Sequence, residues 1–293
     1  MRFGFHISIA QGISAVIEKA RKMRCETIQL FSRNPRGWYY KIIPDAEVER
    51  FKTNLRKSDI SPCFLHLPYL PNLASPDKDL YAKSVDSLCA DLARADVLGI
   101  PFLVVHVGKR LGLSEGRAMA RVAAAVNRSL KKESNRVIIL LENTAGQGTE
   151  LGANFAQLAD ILAAIDDRSR AGVCLDVAHA FQAGYDVSTR RGLDKTLAEF
   201  DSLIGLEHLH LLHLNDSKTP LGSHVDRHWH IGKGHIGPEG FRNIINHPLL
   251  THLPGIMETP RADEKDDRRN MRVVRRLREE GAGSRGEAIM NDE

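Results

Sequence analysis

Eight apolar runs, each followed by a segment of helical period, set the narrowest limit on what this chain can fold into. They occupy residues 3–8, 27–33, 63–68, 102–108, 137–143, 171–179, 209–216 and 255–260. Runs such as FLVVHVG and VIILLEN are continuously apolar rather than alternating, the pattern of strands covered on both faces. The segments between them are helix-like, as in residues 12–23, where Val16, Ile17 and Ala20 fall at helical spacing. Further helices are expected near 45–57, 77–97, 114–131, 154–165, 189–204, 238–246 and 263–279. Eight βα units in 293 residues predict an α/β fold, a closed (β/α)8 TIM barrel. An open doubly wound sheet is the alternative, but it would not normally end every strand in polar residues. No interdomain linker stands out, so one domain is expected over residues 1–280. The tail 281–293, GAGSRGEAIMNDE, has no periodicity and is expected to be mobile.

In a barrel, functional groups gather at the C-terminal ends of the strands. Here those ends carry His66, His106, Glu142, Asp176, His213 and Glu258. His179 lies three residues past Asp176, and Asp226 and His228 lie in the polar segment DSKTPLGSHVDRHWHIGKGHIG after the seventh run. In extended chain, Asp226 and His228 leave the same face. His230 shares that face and is an alternative to His228. Nine imidazole and carboxylate groups at one mouth suit zinc, manganese or iron, and exceed what one tetrahedral ion needs. A cluster of two or three ions follows. Taken singly, His66 or His106 would more often be a hydrogen-bonded core histidine. Glu142 and Glu258 directly follow apolar runs, and a buried carboxylate there needs a metal or an arginine. His6, His208, His210, His224, His235, His247 and His252 are left as structural or surface residues. The GKGHIG stretch at 232–237 reads as a tight loop opening a helix at Pro238, still able to hold a phosphate, and not as a dinucleotide fingerprint.

The formal charge of +4 permits a polyanionic partner without demanding one, so the placement of charge matters more. Arg33, Arg36 and Lys41 follow the second run, Lys109 and Arg110 the fourth, and Lys218, Arg227 and Lys233 the seventh. Basic loops around acidic ligands fit a metal cluster acting on phosphate groups, with Arg33, Lys109, Lys218 and Arg227 as candidate contacts to DNA. Trp38, Tyr39, Tyr40 and Tyr69 lie in the loops after the second and third runs, where they would stack on bases, wedge into a base step, or simply cap the barrel. No stretch is apolar enough to span a membrane, and the start MRFGFHISIA lacks a signal-peptide layout. Cys25, Cys63, Cys89 and Cys174 are scattered, as expected of reduced, mostly buried thiols in a cytoplasmic protein.

The segments GFHIS, FSRNPRGW, HLPYLPNLASP, LLENTAGQG, GVCLDVAHAFQAGYD, HLNDSK, VDRHWHIGKGHIG and METP resemble, in order, the successive motifs of endonuclease IV, the metal-dependent abasic-site endonucleases. The resemblance runs from about residue 4 to residue 260, and its LDVAHAFQAGYD and DRHWHIGKGHIG motifs are specific. It implies a barrel holding three metal ions, usually zinc, with manganese at some sites. By motif, His66, His106 and Glu142 would bind the first ion. Glu142 would bridge to a second, completed by Asp176, His213 and Glu258, and His179, Asp226 and His228 would hold the third. Glu142, Asp176 and Glu258 would be the catalytic carboxylates, with Glu258 placed to orient or deprotonate the attacking water. The loops of Arg36 and of Tyr69 and Leu70 resemble those that enter the minor groove and help extrude the abasic nucleotide.

The implied substrate is abasic or 3′-blocked double-stranded DNA, cut 5′ to the lesion to leave a 3′-hydroxyl and a 5′-deoxyribose phosphate. A monomer is expected, without membrane contact, and associated with the nucleoid in a prokaryote. Two departures stand out. The family's usual H-P-G-S-H reads His106-Val-Gly-Lys-Arg here, and His224 stands where an arginine is expected. The main competing reading is a xylose-isomerase-like sugar isomerase or epimerase, using Glu142, Asp176, His213 and Glu258 around one or two ions. A non-catalytic DNA-damage binding protein with a structural metal is a third.

Overall fold

Strands that are apolar on both faces need cover on both faces, and the chain supplies it by closing the sheet on itself. A computed structural model describes residues 1–39 and 41–290, without the side chains of Glu264 and residues 281–290. Tyr40 and residues 291–293 lie outside the described residues. The barrel strands are β1 (Arg2–Ile7), β2 (Thr27–Phe31), β3 (Cys63–His66), β4 (Phe102–His106), β5 (Ile138–Glu142), β6 (Ala171–Asp176) and β7 (Leu209–His213). A short antiparallel pair, β8 (Asp216–Ser217) and β9 (His228–Trp229), follows, and β10 (Pro254–Met257) completes the barrel. All barrel pairings are parallel, in the closed order β1-β10-β7-β6-β5-β4-β3-β2. The expected TIM barrel is therefore the fold.

Outside the strands stand α1 (Val16–Lys22), α2 (Asp45–Arg56), α3 (Lys78–Leu98), α4 (Glu115–Lys132), α5 (Phe155–Ala163), α6 (Val177–Ala183), α7 (Arg190–Leu203), α8 (Gly237–Asn246) and α9 (Glu264–Met290). Several start where a side chain accepts an orphan backbone N–H: Asp77 from Leu80, Asn154 from Gln157 and Thr189 from Gly192. The large core lies between strands and helices, with Phe51, Phe155, Phe200 and Phe241 fully buried. Among the described residues no helix is long and apolar enough to cross a membrane. The four cysteines are buried and unpaired.

One boundary differs from the sequence reading. The run 171–179 is not all strand: β6 stops at Asp176, and Val177 begins α6. Asp176 is the N-cap, its Oδ1 accepting the N–H of His179 at 2.9 Å. Capping turns the chain at that carboxylate and brings His179 back over the strand end. At the other end of the chain, α9 runs on from Gly281 to Met290. The expected change of character at Gly281 falls on residues whose side chains are not described.

Strand period then decides what fills the barrel. Side chains two apart share a face, and Phe64, Val104, Leu140, Cys174, Leu211 and Ile256 form a separate, fully buried cluster. Each lies two residues before a predicted ligand: His66, His106, Glu142, Asp176, His213 and Glu258. The ligand layer thus rests on an apolar floor inside the barrel. Closure between β1 and β2 needs Gly4, because a Cβ there would lie 1.7 Å from the carbonyl oxygen of Thr27.

Arg33 is not the DNA contact expected of it. It does not stand on a basic rim but is 4% exposed, with its guanidinium 3.1 Å from Asp91 Oδ2 on α3. It also donates to the carbonyl of Gly37 at 3.0 Å and to Ser87 Oγ, tying the loop after β2 to that helix. Its charge is spent inside the fold. Arg33→Ala leaves Asp91 buried without its partner and is expected to cost about 3–5 kcal/mol. Denaturant unfolding measures this, and an unchanged midpoint would contradict the structural role.

Candidate metal centre

Eight of the nine predicted ligands meet at the barrel mouth in three overlapping sets, and the ninth, Asp226, lies against the third. Within each set, one ligand atom per residue lies within 4.8 Å of every other: His66, His106 and Glu142; Glu142, Asp176, His213 and Glu258; and Asp176, His179 and His228. Glu142 and Asp176 each belong to two sets, so the sets are joined. Glu142 Oε2 lies 3.1 Å from His66 Nε2 and 3.4 Å from His106 Nε2, and its Oε1 lies 2.8 Å from His213 Nδ1. Asp226 Oδ1 lies 3.4 Å from His179 Nε2 and 3.5 Å from His228 Nε2. His66, His106, His179, Asp226, His228 and Glu258 line a cavity of about 360 Å³ open to the mouth, while Glu142, Asp176 and His213 are fully buried.

Hydrogen bonds on the far side of each imidazole determine which nitrogen faces inward. His66 Nδ1 donates to the carbonyl of Leu67 at 2.7 Å, and His179 Nδ1 to that of Asn143 at 2.9 Å. A carbonyl only accepts, so both rings carry their proton on Nδ1 when neutral and present an Nε2 lone pair. His228 Nδ1 faces the carbonyl of Glu258 at 3.4 Å. The Nε2 atoms of His179 and His228 consequently confront each other at 3.1 Å. Two lone pairs at that distance repel unless a proton or a cation lies between them. The donor set, nitrogen and carboxylate oxygen without exposed thiolate, fits zinc or manganese.

The electrostatics point the same way. Burial opposes ionisation of Glu142, but His106 and His213 outweigh it and hold its carboxyl well below the usual carboxylate range. Burial likewise opposes charge on Glu258 and Asp226; His213 and His6 lower the first, His179 and His228 the second. Burial works against a proton on His179 and His213; Asp176 and Asp226 overcome it at the first, and Cys174, Glu258 and Glu142 at the second, raising both well above the usual histidine value. The site accumulates negative charge that wants cations. Cys174, in the floor beneath Glu142 and His213, is different: burial pushes its thiol up to about 12.

The segment after β7 reaches the cavity because Asp216 pins it. Its carboxylate accepts the N–H groups of Ser217, Gly234 and Ile236 at 2.8, 2.9 and 3.0 Å. A Cβ at Gly234 would lie 2.2 Å from the Ser217 carbonyl oxygen, so no side chain fits there. With both ends cinched, the β8–β9 ladder carries Asp226 and His228 inward. His230, the alternative to His228, turns away instead, with Nε2 3.9 Å from Asp266 of α9. The GKGHIG stretch is indeed a tight loop opening α8.

Of the residues expected to touch DNA, Tyr69, Leu70 and Lys109 line the metal cavity or the one adjoining it. Arg36, Lys218 and Arg227 are exposed, and Lys218 Nζ lies 4.3 Å above the ring of Trp229. Lys109 is exposed and paired with Glu150 at 3.2 Å. Tyr69 is 66% exposed, lines both the metal cavity and an adjoining cavity of about 360 Å³, and packs edge-on against Phe31 at 5.2 Å. Leu70 lines the adjoining cavity. His224 bonds the carbonyl of Ala145 through Nδ1 at 3.0 Å, joining two mouth loops.

Several residues were passed over in the sequence. His6 Nδ1 lies 2.9 Å from Glu258 Oε1, and Gln29 donates to the same oxygen at 2.7 Å. Asn215 donates to Asp176 Oδ2 and accepts the N–H of Glu258, both at 2.7 Å. Asn143 brackets the backbone of Asp176 with bonds of 2.7 and 3.0 Å. Arg261 lines the cavity and is paired with Asp267 at 2.9 Å. The available signal for His6 and Gln29 was position: they hold in β1 and β2 the place that the ligands hold in the other strands.

Residues 17–278 match the family of xylose isomerase-like TIM barrels. The chain is similar to a probable endonuclease 4 of Methanosphaerula palustris, with 45% identity over 94% of this chain and 98% of that one. It superposes on the crystal structure of endonuclease IV from Thermus thermophilus with a TM-score of 0.87 and 38% identity, covering 96% of this chain and 100% of that one. A D-tagatose 3-epimerase-like protein shares the fold alone, at a TM-score of 0.75 and 17% identity over 97% and 99% of the two chains. Identity at the level of the two endonucleases, across nearly the full length of each chain and on the same barrel, decides the matter: the chain belongs to the endonuclease IV family.

Proposed function

We propose that the protein is a metal-dependent hydrolase of damaged DNA. It cuts the phosphodiester 5′ to an abasic site in duplex DNA, leaving a 3′-hydroxyl and a 5′-deoxyribose phosphate, and clears 3′-phosphate blocks with the same groups. The observation that carries this reading is the number and overlap of the ligand sets. A sugar epimerase built on Glu142, Asp176, His213 and Glu258 has no work for His66, His106, His179, Asp226 and His228, all drawn into one cavity.

Zinc or manganese, if held by these residues, would supply Lewis acidity toward water and the phosphate. The remaining work falls to the chain itself. Glu142 and Asp176, each shared between ligand sets, hold the sets in register. Glu258 lines the cavity with one oxygen held by Gln29 and His6, and it orients the attacking water and takes its proton. Arg36, Lys109, Lys218 and Arg227 surround the mouth and neutralise phosphates along the duplex. Tyr69 and Leu70 fill the space left by an extruded nucleotide, which costs least to extrude when it has no base to unstack.

Incision of a defined abasic duplex, before and after removal of metal by a chelator, tests the activity directly. Nicking 5′ to the site, lost with the chelator and restored by zinc or manganese, is the expected outcome. A metal-loaded protein that leaves the duplex whole and interconverts ketose epimers would contradict it.

The wedge makes a separate prediction. Tyr69 is needed only when the target lies inside a duplex, whereas the ligands serve both reactions. Tyr69→Ala should therefore slow incision at an internal abasic site at least about tenfold, the kinetic equivalent of ~1.4 kcal/mol, and leave removal of a terminal 3′-phosphate nearly unchanged. Equal losses in both rates, tracking a lower melting temperature, would make Tyr69 a capping residue instead.

A further inference from the structure

We propose that Gln29 is a positioning residue of the metal centre: its carboxamide ties His213 to Glu258 and selects which nitrogen of one and which oxygen of the other face the ion. Gln29 is fully buried in the middle of β2, in register with His6 on β1. β2 and β7 are not neighbours in the barrel, so the side chain reaches His213 across the mouth. Its Oε1 lies 2.9 Å from His213 Nε2, and its Nε2 lies 2.7 Å from Glu258 Oε1.

Only one arrangement of protons satisfies those contacts. With the amide turned over, two oxygens, Gln29 Oε1 and Glu258 Oε1, would face each other in place of a hydrogen bond. The amide oxygen therefore faces His213, and because it only accepts, His213 Nε2 carries the N–H. That leaves Nδ1 of the neutral ring with its lone pair aimed at Glu142 Oε1, Glu258 Oε2 and Asp176 Oδ2, at 2.8, 3.4 and 3.8 Å. The same amide engages Glu258 Oε1 and leaves Oε2 turned toward the ligand set. One side chain thus orients two of the four groups in the set of Glu142, Asp176, His213 and Glu258.

His213 differs from other histidines of the centre in how it is held. His66 and His179 are anchored to backbone carbonyls, which no substitution removes. The far nitrogen of His213 is anchored to a side chain, so its orientation is one that a single replacement can loosen. Outer partners of metal-bound histidines typically contribute about 10–100-fold in metal affinity.

The inference rests on the metal-centre reading, and the test separates the two. Wild type, Gln29→Met and Gln29→Glu, each stripped of metal, are titrated with Zn2+ against a chromophoric chelator, and Co2+ absorption is recorded on the same proteins. Methionine keeps the volume and offers neither bond. Glutamate keeps an acceptor for His213 but sets an oxygen against Glu258. Both variants should lose about 10–100-fold in affinity for one ion, keep the others, and show altered Co2+ bands, with metal-free melting temperatures near that of wild type. A wild type that binds no ion removes the metal-centre reading itself. A wild type that loads, with either folded variant matching its affinities and Co2+ spectrum, overturns the role of Gln29 and leaves the centre standing.

Discussion

Glu142 is a carboxylate with no exposure, placed inside a barrel above an apolar floor. An isolated charge there would cost several kcal/mol, and the fold tolerates it only because His66, His106 and His213 converge on it from three other strands. The rest of the mouth is arranged around that requirement. His213 must be turned so that Nδ1 meets Glu142, which Gln29 does. Asp176 must end its strand and cap a helix, which returns His179 to the same cavity. Each group that neutralises one neighbour brings its own need for a partner, so the layer is stable only as a whole.

The geometry that permits this is the two-residue period of a strand. It sets apolar side chains and ligands alternately along the inner face, so that one layer of packing carries one layer of chemistry. The loops contribute what the strands cannot reach. Asp216 draws together both ends of the segment after β7, and its short ladder delivers Asp226 and His228 from above. The strand ends carry the buried candidate ligands, while Arg36, Tyr69 and Lys218 stand exposed on the loops.

Much of this was legible in the chain itself, for a physical reason. Buried parallel strands announce themselves as continuous apolar runs, and titratable residues at their ends are costly enough to be conspicuous. Most of the nine candidate ligands are read that way, Asp226 and His228 come from the polar segment after the seventh run, and the resemblance to endonuclease IV groups them. What stayed hidden depends on contacts between distant segments. Gln29 cannot titrate and has no motif; its importance arises from two bonds across the mouth. His6 looked like any of several unassigned histidines. Arg33 sits among loop cations, yet Asp91, far along the chain on α3, takes it into the interior. The end of β6 was misjudged because Val177 and Ala178 continue the apolar pattern while Asp176 has already turned the backbone into a helix.

The central claim is that the joined ligand sets at the strand ends hold more than one ion. Anomalous diffraction from zinc-loaded crystals, recorded above and below the metal's absorption edge, tests it most directly. The account predicts separate peaks inside the mouth, one against His66, His106 and Glu142, one against Asp176, His213 and Glu258, and one against His179, Asp226 and His228. A single peak at Glu142, Asp176, His213 and Glu258, with the other histidines hydrogen-bonded to protein groups, would contradict it.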